Sequence, residues 1–235
     1  MAMTINPHLR DIFNLRRDRS GFFPVAEDAV RVVSPAQALE IFDTLRAMQN
    51  ISHEYTDDGC AQRAHLMCRA LVDMKLAPEK GWAFETPKRD LVVDYPHVSQ
   101  IWWFHVAPVL RVASEKGGAE PMAFDTVLFD GPATMKEWGS VMKAQPEQIH
   151  VLPCGKSPKG HYGDYRPGVR TGYASDAAAQ KAMDKYIALE NEDGFVRPQV
   201  FESALRKKLE ATTPDNPRPA DRKKQPPAQG QNGPA

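Results

Sequence analysis

Three residues in the chain have the side chains that a thiol-dependent acyl-transfer reaction requires, and the first is a cysteine. Cys60 follows Asp57, Asp58 and Gly59, which places it at the start of a predicted helix with the two aspartates as candidate N-caps. Unpaired backbone N–H groups and the helix dipole favour an anion there, and such a setting lowers the pKa of a thiol. The two carboxylates act in the opposite direction, so the sign of the net shift stays open. Gly59 lets the backbone approach a substrate closely.

A thiol nucleophile needs a base within hydrogen-bond reach and a group that orients the base. His105 lies in the predicted strand WWFHVAP, and Asp125 interrupts the apolar segment MAFDTVLF on the next strand. Buried carboxylates are rare without a partner. If the two strands form a hairpin, His105 is the imidazole beside Asp125, so each residue supplies the partner that the other needs.

The cysteines and the histidine also have structural interpretations. Most cysteines are packing residues, and a lone histidine in a strand is more often structural than catalytic. Cys68 lies two turns beyond Cys60 on the predicted buried stripe and is interpreted as core, whereas Cys154 lies in a loop rich in Gly and Pro. Three widely spaced cysteines make a disulfide framework unlikely in a chain of this length. The Cys and His residues also lack zinc-site spacing, so we expect no metal.

Composition excludes several classes of function. The chain has 235 residues, which fits one large domain or two small ones. Its 30 Lys and Arg residues balance 30 Asp and Glu residues, whereas a nucleic-acid binder normally has a basic excess. Apolar runs stay below the roughly 18 residues that a membrane span needs, and the N-terminus lacks the pattern of a secretory signal. We therefore expect a cytoplasmic protein, or one secreted by a route that needs no such signal.

Periodicity and composition divide the chain into three parts. Residues 1–33 are predicted to form an irregular arm, residues 34–212 a folded domain, and the Pro-rich residues 213–235 a disordered tail. The domain pattern predicts an α+β fold in which an antiparallel sheet packs against helices. Its predicted elements are helices at 34–49 and from Cys60, strands between 81 and 129, a helix from Gly131, a strand at 148–152, a functional or mobile loop at 153–173, and helices at 175–190 and 198–210.

Three segments, in the order DDGCAQRAHLM, WWFHVAPVL and FDTVLFDGPATMKEW, resemble the catalytic segments of the bacterial protein-glutaminase family. The spacing of 45 positions from Cys60 to His105 and 20 from His105 to Asp125 agrees with that family. The resemblance spans residues 52 to 140, approximately. It implies a papain- or transglutaminase-like fold with the nucleophile at a helix N-terminus. The implied reaction is deamidation of protein-bound glutamine to glutamate, without a metal or an organic cofactor.

The resemblance also implies roles for three residues. Cys60 would be the nucleophile that forms a thioester, His105 the base, and Asp125 the group that orients the base. Trp103 and Tyr55 are candidate substrate contacts because an aromatic ring packs well on the methylene stem of glutamine. Gly59 is the third candidate substrate contact. The expected partners are proteins or peptides with exposed glutamine, and neither nucleic acid nor membrane insertion is expected.

The residues alone leave several alternatives open. A transglutaminase forms the same acyl-enzyme and resolves it with a lysine amine, and a thiol protease attacks a backbone amide instead. A non-catalytic binding module, in which the tail at 213–235 recruits partners, belongs to a different class. A bacterial effector delivered into another cell would also fit a chain without a recognisable signal.

Overall fold

The computed structural model describes residues 26–95, 99–154 and 176–212. Eight strands lie in the described residues: β1 (Val32–Val33), β2 (Glu79–Phe84), β3 (Leu91–Asp94), β4 (Ser99–Trp102), β5 (Phe104–Ala113), β6 (Ala119–Ala123), β7 (Ala133–Thr134) and β8 (Ile149–Pro153). The helices described are α1 (Pro35–Arg46), α2 (Cys60–Asp73), α3 (Met135–Val141), α4 (Asp176–Glu190) and α5 (Ala204–Thr212), with a 3-10 turn at Pro146–Gln148. The predicted α+β fold class is confirmed. Most of the predicted arm, most of the 153–173 loop and the tail lie outside the described residues, so the three-part division stays a prediction.

The main sheet is organised around β5, its longest strand. The strand order is β7-β6-β5-β2-β8 with antiparallel neighbours, and β1 adds a short parallel pairing to β5. The sequence predicts one continuous strand through residues 99–113, and this prediction is wrong in one respect. The strand breaks at Trp103, so β4 pairs with β3 in a separate hairpin while β5 joins the main sheet. The break at Trp103 lets the two segments pair with different strands.

Helices cover both faces of the main sheet. One apolar cluster joins α1, α2 and α4 to β5 through side chains that include Phe42, Met67, Leu110 and Met183. A second cluster joins α3 and the β3–β4 hairpin to the opposite face and is centred on Trp138. β5 is therefore buried on both sides, which explains its almost unbroken run of apolar residues.

The ends of the helices follow local side-chain chemistry. At α1, the Ser34 hydroxyl accepts from the backbone N–H of Gln37, and the Gln37 side chain accepts from the Ser34 backbone at 2.9 Å. The sequence predicts this cap, because Gln37 stands three residues after Ser34. The last helix, however, begins at Ala204 and not at Pro198. Ser203 donates its backbone N–H to Asp130 at 2.8 Å, and its hydroxyl accepts from the backbone N–H of Arg206 at 3.3 Å, so the chain enters the helix at Ser203.

Within the described ranges, no helix has both the length and the apolar content that crossing a membrane requires.

A buried histidine connects α2 to α4. His65 is 0% exposed, and its Nε2 lies 2.7 Å from the Asp176 carboxylate. Burial, and after it the charge of the nearby Lys80, lowers the pKa of His65 from 6.5 to about 4, with Asp176 opposing the shift. His65 is therefore neutral in the folded protein at neutral pH.

We expect the fold to lose stability as the pH falls from about 7 to about 4.5, because the unfolded chain then takes up a proton that folded His65 refuses. The share of this loss due to His65 is about 3 kcal/mol, and it is complete only below the folded pKa of about 4. Urea unfolding at several pH values measures it. His65→Gln can still bond to Asp176 but does not titrate, so its stability should fall less over this window. Equal losses in both proteins would contradict the assignment.

Candidate active site

The candidate nucleophile begins α2, and a glycine occupies the position before it. Gly59 is the N-cap residue with φ +90°, a left-handed conformation, and it caps the helix without a side chain. The prediction that Asp57 or Asp58 is the N-cap is therefore wrong. The Asp58 carboxylate instead accepts from the Gly59 backbone at 2.7 Å and from the Tyr186 hydroxyl at 2.8 Å. These bonds hold the chain in the sharp turn that leads into Cys60.

The environment of Cys60 favours the protonated thiol. Burial, and after it the charge of Asp58, raises the pKa of the Cys60 thiol to about 12. The Arg63 cation and a hydrogen bond from the backbone of Val106 lower the pKa, but by less. The opposing effects that the sequence leaves open therefore resolve in favour of the neutral form. A base is needed to make this sulfur nucleophilic at neutral pH.

The candidate base and its partner are in direct contact. His105 lies near the start of β5, and its Nε2 is 2.6 Å from Asp125 Oδ2. Both side chains are 3% exposed. Asp125 does not lie in a strand as predicted, because β6 ends at Ala123 and a turn follows. In that turn, Asp125 Oδ1 accepts two backbone N–H bonds, of 3.2 and 3.3 Å, from the residues two and three positions on.

The Asp125 carboxylate is held in its ionised form. Burial alone would raise its pKa, but His105, the Trp138 hydrogen bond and the Arg63 charge outweigh burial and lower the pKa below its usual value. Trp138 Nε1 donates to Asp125 Oδ2 at 2.8 Å. An ionised carboxylate only accepts hydrogen bonds, so Nε2 of His105 carries the proton that it donates. The other ring nitrogen, Nδ1, is then the basic one.

Two tryptophans hold the His105 ring in place. Trp102 stacks on it with ring centres 4.5 Å apart and an interplanar angle of 16°, and Trp138 lies 5.7 Å away on α3. Trp102 is anchored in turn, because its Nε1 donates to the Thr56 carbonyl at 3.1 Å. Sequence reasoning missed both contacts. The adjacent Trp-Trp pair hints at an aromatic wall, but nothing in the sequence indicates that Trp138 reaches Asp125.

A buried cation lies one helical turn after Cys60. Arg63 is 4% exposed, and it donates to the carbonyls of Ser52 at 2.6 Å and Tyr55 at 2.9 Å. Its charge favours the anionic forms of both Cys60 and Asp125. Because Val106 directly follows His105, its bond to Cys60 brings α2 and the start of β5 together. The structure thus gathers the three candidate residues at one end of β5, around one positive charge.

The loop before Cys60 is fixed by α4. Glu190 Oε1 accepts the backbone N–H of Tyr55 at 2.7 Å and also bonds to Ser52 and Glu54. Tyr186, one turn earlier, stacks on Tyr55 with ring centres 5.1 Å apart. Sequence reasoning missed Glu190 and Tyr186, since they are more than a hundred residues from the loop that they hold.

The candidate substrate contacts lie on two sides of Cys60. Trp103 is half-buried, and its ring meets that of Phe104 edge-on, with the ring centres 4.3 Å apart. It borders the same aromatic cluster as Cys60. Tyr55 is half-buried under Tyr186, and Gly59 is buried in the turn. Their contacts with a substrate remain predictions. Among the described side chains, no group of three His, Cys, Asp or Glu residues converges in a way that would hold a metal ion.

The chain is similar to known glutaminases. A family model described as "Glutaminase" matches residues 38–142, a range that holds Cys60, His105 and Asp125. The predicted resemblance to the protein-glutaminase family is confirmed. No curated protein matches the chain at a significant level.

Solved protein-glutaminase structures share the fold. The NMR structure of protein-glutaminase from Chryseobacterium proteolyticum is 18% identical, with a TM-score of 0.56 over 72% of this chain and 96% of that chain. A crystal structure of protein-glutaminase is 20% identical, with a TM-score of 0.53 over 73% and 97%. A crystal structure of pro-protein-glutaminase is 18% identical, with a TM-score of 0.55 over 83% and 72%.

Replacing Gly59 by alanine should destabilise the protein in two ways. The left-handed conformation costs an alanine about 1–2 kcal/mol, and its Cβ would lie 2.9 Å from the Tyr186 ring. Gly117 is a matched control, because it has φ +88° but no described atom within 4 Å of an added Cβ. Urea unfolding should therefore show a larger loss for Gly59→Ala than for Gly117→Ala. Equal losses would contradict a close approach between Gly59 and Tyr186.

Proposed function

We propose that the protein hydrolyses the side-chain amide of protein-bound glutamine, producing glutamate and ammonia, with Cys60 as nucleophile, His105 as base and Asp125 as the orienting group. The main support is the buried pair of His105 and Asp125, 2.6 Å apart, beside the helix that begins with Cys60. The family match supports a glutamine-deamidating hydrolase. The protein-glutaminases that share the fold support the same reaction.

In the first half of the reaction, the Cys60 sulfur attacks the carboxamide carbon while His105 Nδ1 accepts the thiol proton. Proton transfer and attack are coupled, because a thiol with a pKa near 12 does not ionise by itself at neutral pH. Arg63 and the Val106 N–H stabilise the negative charge on sulfur as it develops. Backbone N–H groups at the start of α2, including that of Cys60, stabilise the oxyanion.

In the second half, the imidazolium of His105 donates its proton to the leaving ammonia. The resulting thioester is hydrolysed by a water molecule that His105 activates, and the thiol is regenerated. Asp125 keeps Nδ1 as the basic nitrogen and stabilises the imidazolium in both halves. The aromatic rings of Trp103 and Tyr55 pack on the glutamine stem, and Gly59 lets the substrate backbone approach. Each turnover adds one negative charge to the target protein.

One assay separates this reaction from its alternatives. With casein or a blocked glutamine peptide as substrate, we expect ammonia release and a mass increase of about one unit per modified glutamine. Cross-linked or amine-labelled products would indicate a transglutaminase, and new chain termini would indicate a protease. Cys60→Ala should abolish the reaction, because the proposed thioester forms on the Cys60 sulfur. If the wild type and Cys60→Ala release ammonia equally, the proposal is wrong, and inactivity of both would favour the binding module.

Asp125→Asn should lower the turnover rate by roughly 10²- to 10⁴-fold. The asparagine amide can donate to His105 Nε2, which would leave Nδ1 protonated and unable to act as base. Asp176→Asn is the matched control, because Asp176 also bonds to a buried histidine but lies outside the proposed site. Steady-state kinetics with circular dichroism measures both effects. The proposed role fails if a folded Asp125→Asn protein turns over substrate as fast as the control.

A further inference from the structure

A second pair of thiols lies apart from the proposed site. The sulfur atoms of Cys68 and Cys154 are 3.2 Å apart, and both residues are free cysteines. Cys68 is buried in α2, and Cys154 follows the last residue of β8 and is half-exposed. The sequence assigns one residue to the core and the other to a loop, and it predicts no disulfide. The fold nevertheless brings their sulfur atoms closer than two packing cysteines require.

The sheet pairing explains why the two cysteines meet. Glu79 of β2 is the register partner of Pro153 in β8, and Cys154 is the next residue along the chain. The Cys68 sulfur lies 3.9 Å from the carbonyl oxygen of Glu79. Cys68 is therefore held by α2, and Cys154 is held by the end of β8 that comes just before it. Both sulfur atoms lie on the side of β2 and β8 that faces α2.

The two thiols differ in a way that suits thiol–disulfide exchange. The hydrogen bond between the two sulfur atoms lowers the pKa of Cys154, and the nearby Lys80 lowers it further, although burial opposes the shift. Burial raises the pKa of Cys68 well above its usual value. Cys154 is thus the more acidic and the more accessible thiol, the combination that favours first attack on a small disulfide. Cys68 is placed to complete the exchange.

We propose that Cys68 and Cys154 form a dithiol site that low-molecular-weight disulfides oxidise to an intramolecular disulfide. The Cys154 thiolate attacks one sulfur of oxidised glutathione, forming a mixed disulfide and releasing one glutathione thiolate. The Cys68 sulfur then attacks the Cys154 sulfur and releases the second glutathione. The two protein protons end on the two glutathione molecules, so protein dithiol plus one oxidised glutathione gives protein disulfide plus two reduced glutathione.

Cys60 does not take part in the proposed disulfide. Cys60 and Cys68 are eight positions apart on α2, which separates their Cα atoms by about 12 Å, beyond the reach of a disulfide. The new bond would tie the helix that begins with Cys60 to the end of β8. It would close a long chain loop between Cys68 and Cys154, and loops of this length give large stabilisation when cross-linked.

The test uses the full chain with Cys60→Ala, which makes it independent of the proposed enzymatic reaction. After incubation with oxidised glutathione and desalting, the protein is unfolded and its thiols are counted with a chromogenic disulfide reagent. We expect both thiols to be lost, the intact mass to fall by about two units, and thermal unfolding to shift to a higher temperature that a reductant reverses. A non-reducing peptide map should link the peptides that hold Cys68 and Cys154.

The matched control adds Cys154→Ser to the same protein. We expect it to keep the buried Cys68 thiol, to gain no mass and to unfold at one temperature with or without oxidised glutathione. In reduced form it should unfold close to the Cys60→Ala parent, which shows that the substitution leaves the fold intact. The proposal is overturned if the parent retains both thiols, keeps a bound glutathione, or forms covalent dimers in place of the internal bond.

Discussion

The structure around the candidate site depends on one buried carboxylate whose hydrogen bonds must all be satisfied. An ionised Asp125 in the protein interior costs several kcal/mol unless it is fully paired. Its partners come from β5 through His105, from α3 through Trp138, and from the turn that follows β6. Moving any one of these elements would remove part of the hydrogen bonding that the buried charge requires. The carboxylate therefore fixes the relative positions of a strand, a helix and a turn.

The environment of the candidate nucleophile shows that position on a helix does not decide thiol ionisation alone. The N-terminus of α2 favours an anion, yet burial and Asp58 keep Cys60 protonated. The compensating groups are Arg63 and the backbone of Val106, each held by a different part of the fold. Such a thiol is inert until a base accepts its proton. Proton transfer within the site, and not a standing thiolate, is then the natural starting point for its chemistry.

Features that arise from neighbouring residues could be predicted from the sequence. The capping box at Ser34 and the helix that starts at Cys60 belong to this class. The β5–β6 hairpin does too, because the adjacent Gly117 and Gly118 indicate a turn between the two strand segments. The apolar segment after Ala123 misled the prediction, because a buried turn and a buried strand have similar composition. The Trp138 bond to Asp125, the Glu190 bonds to the Ser52–Tyr55 loop and the sulfur contact of Cys68 join distant positions. Only the folded chain brings such positions together.

The bonds from α4 to the loop before Cys60 bear on where the functional unit of this chain ends. The region that matches the glutaminase family stops at residue 142, before α4 begins. Glu190 and Tyr186 nevertheless hold the loop whose carbonyls bind Arg63. A fragment that ends at residue 142 would keep Cys60 but lose the α4 residues that hold the loop before it. The region that the family model matches is therefore shorter than the structural unit that holds the site, which extends at least to Glu190.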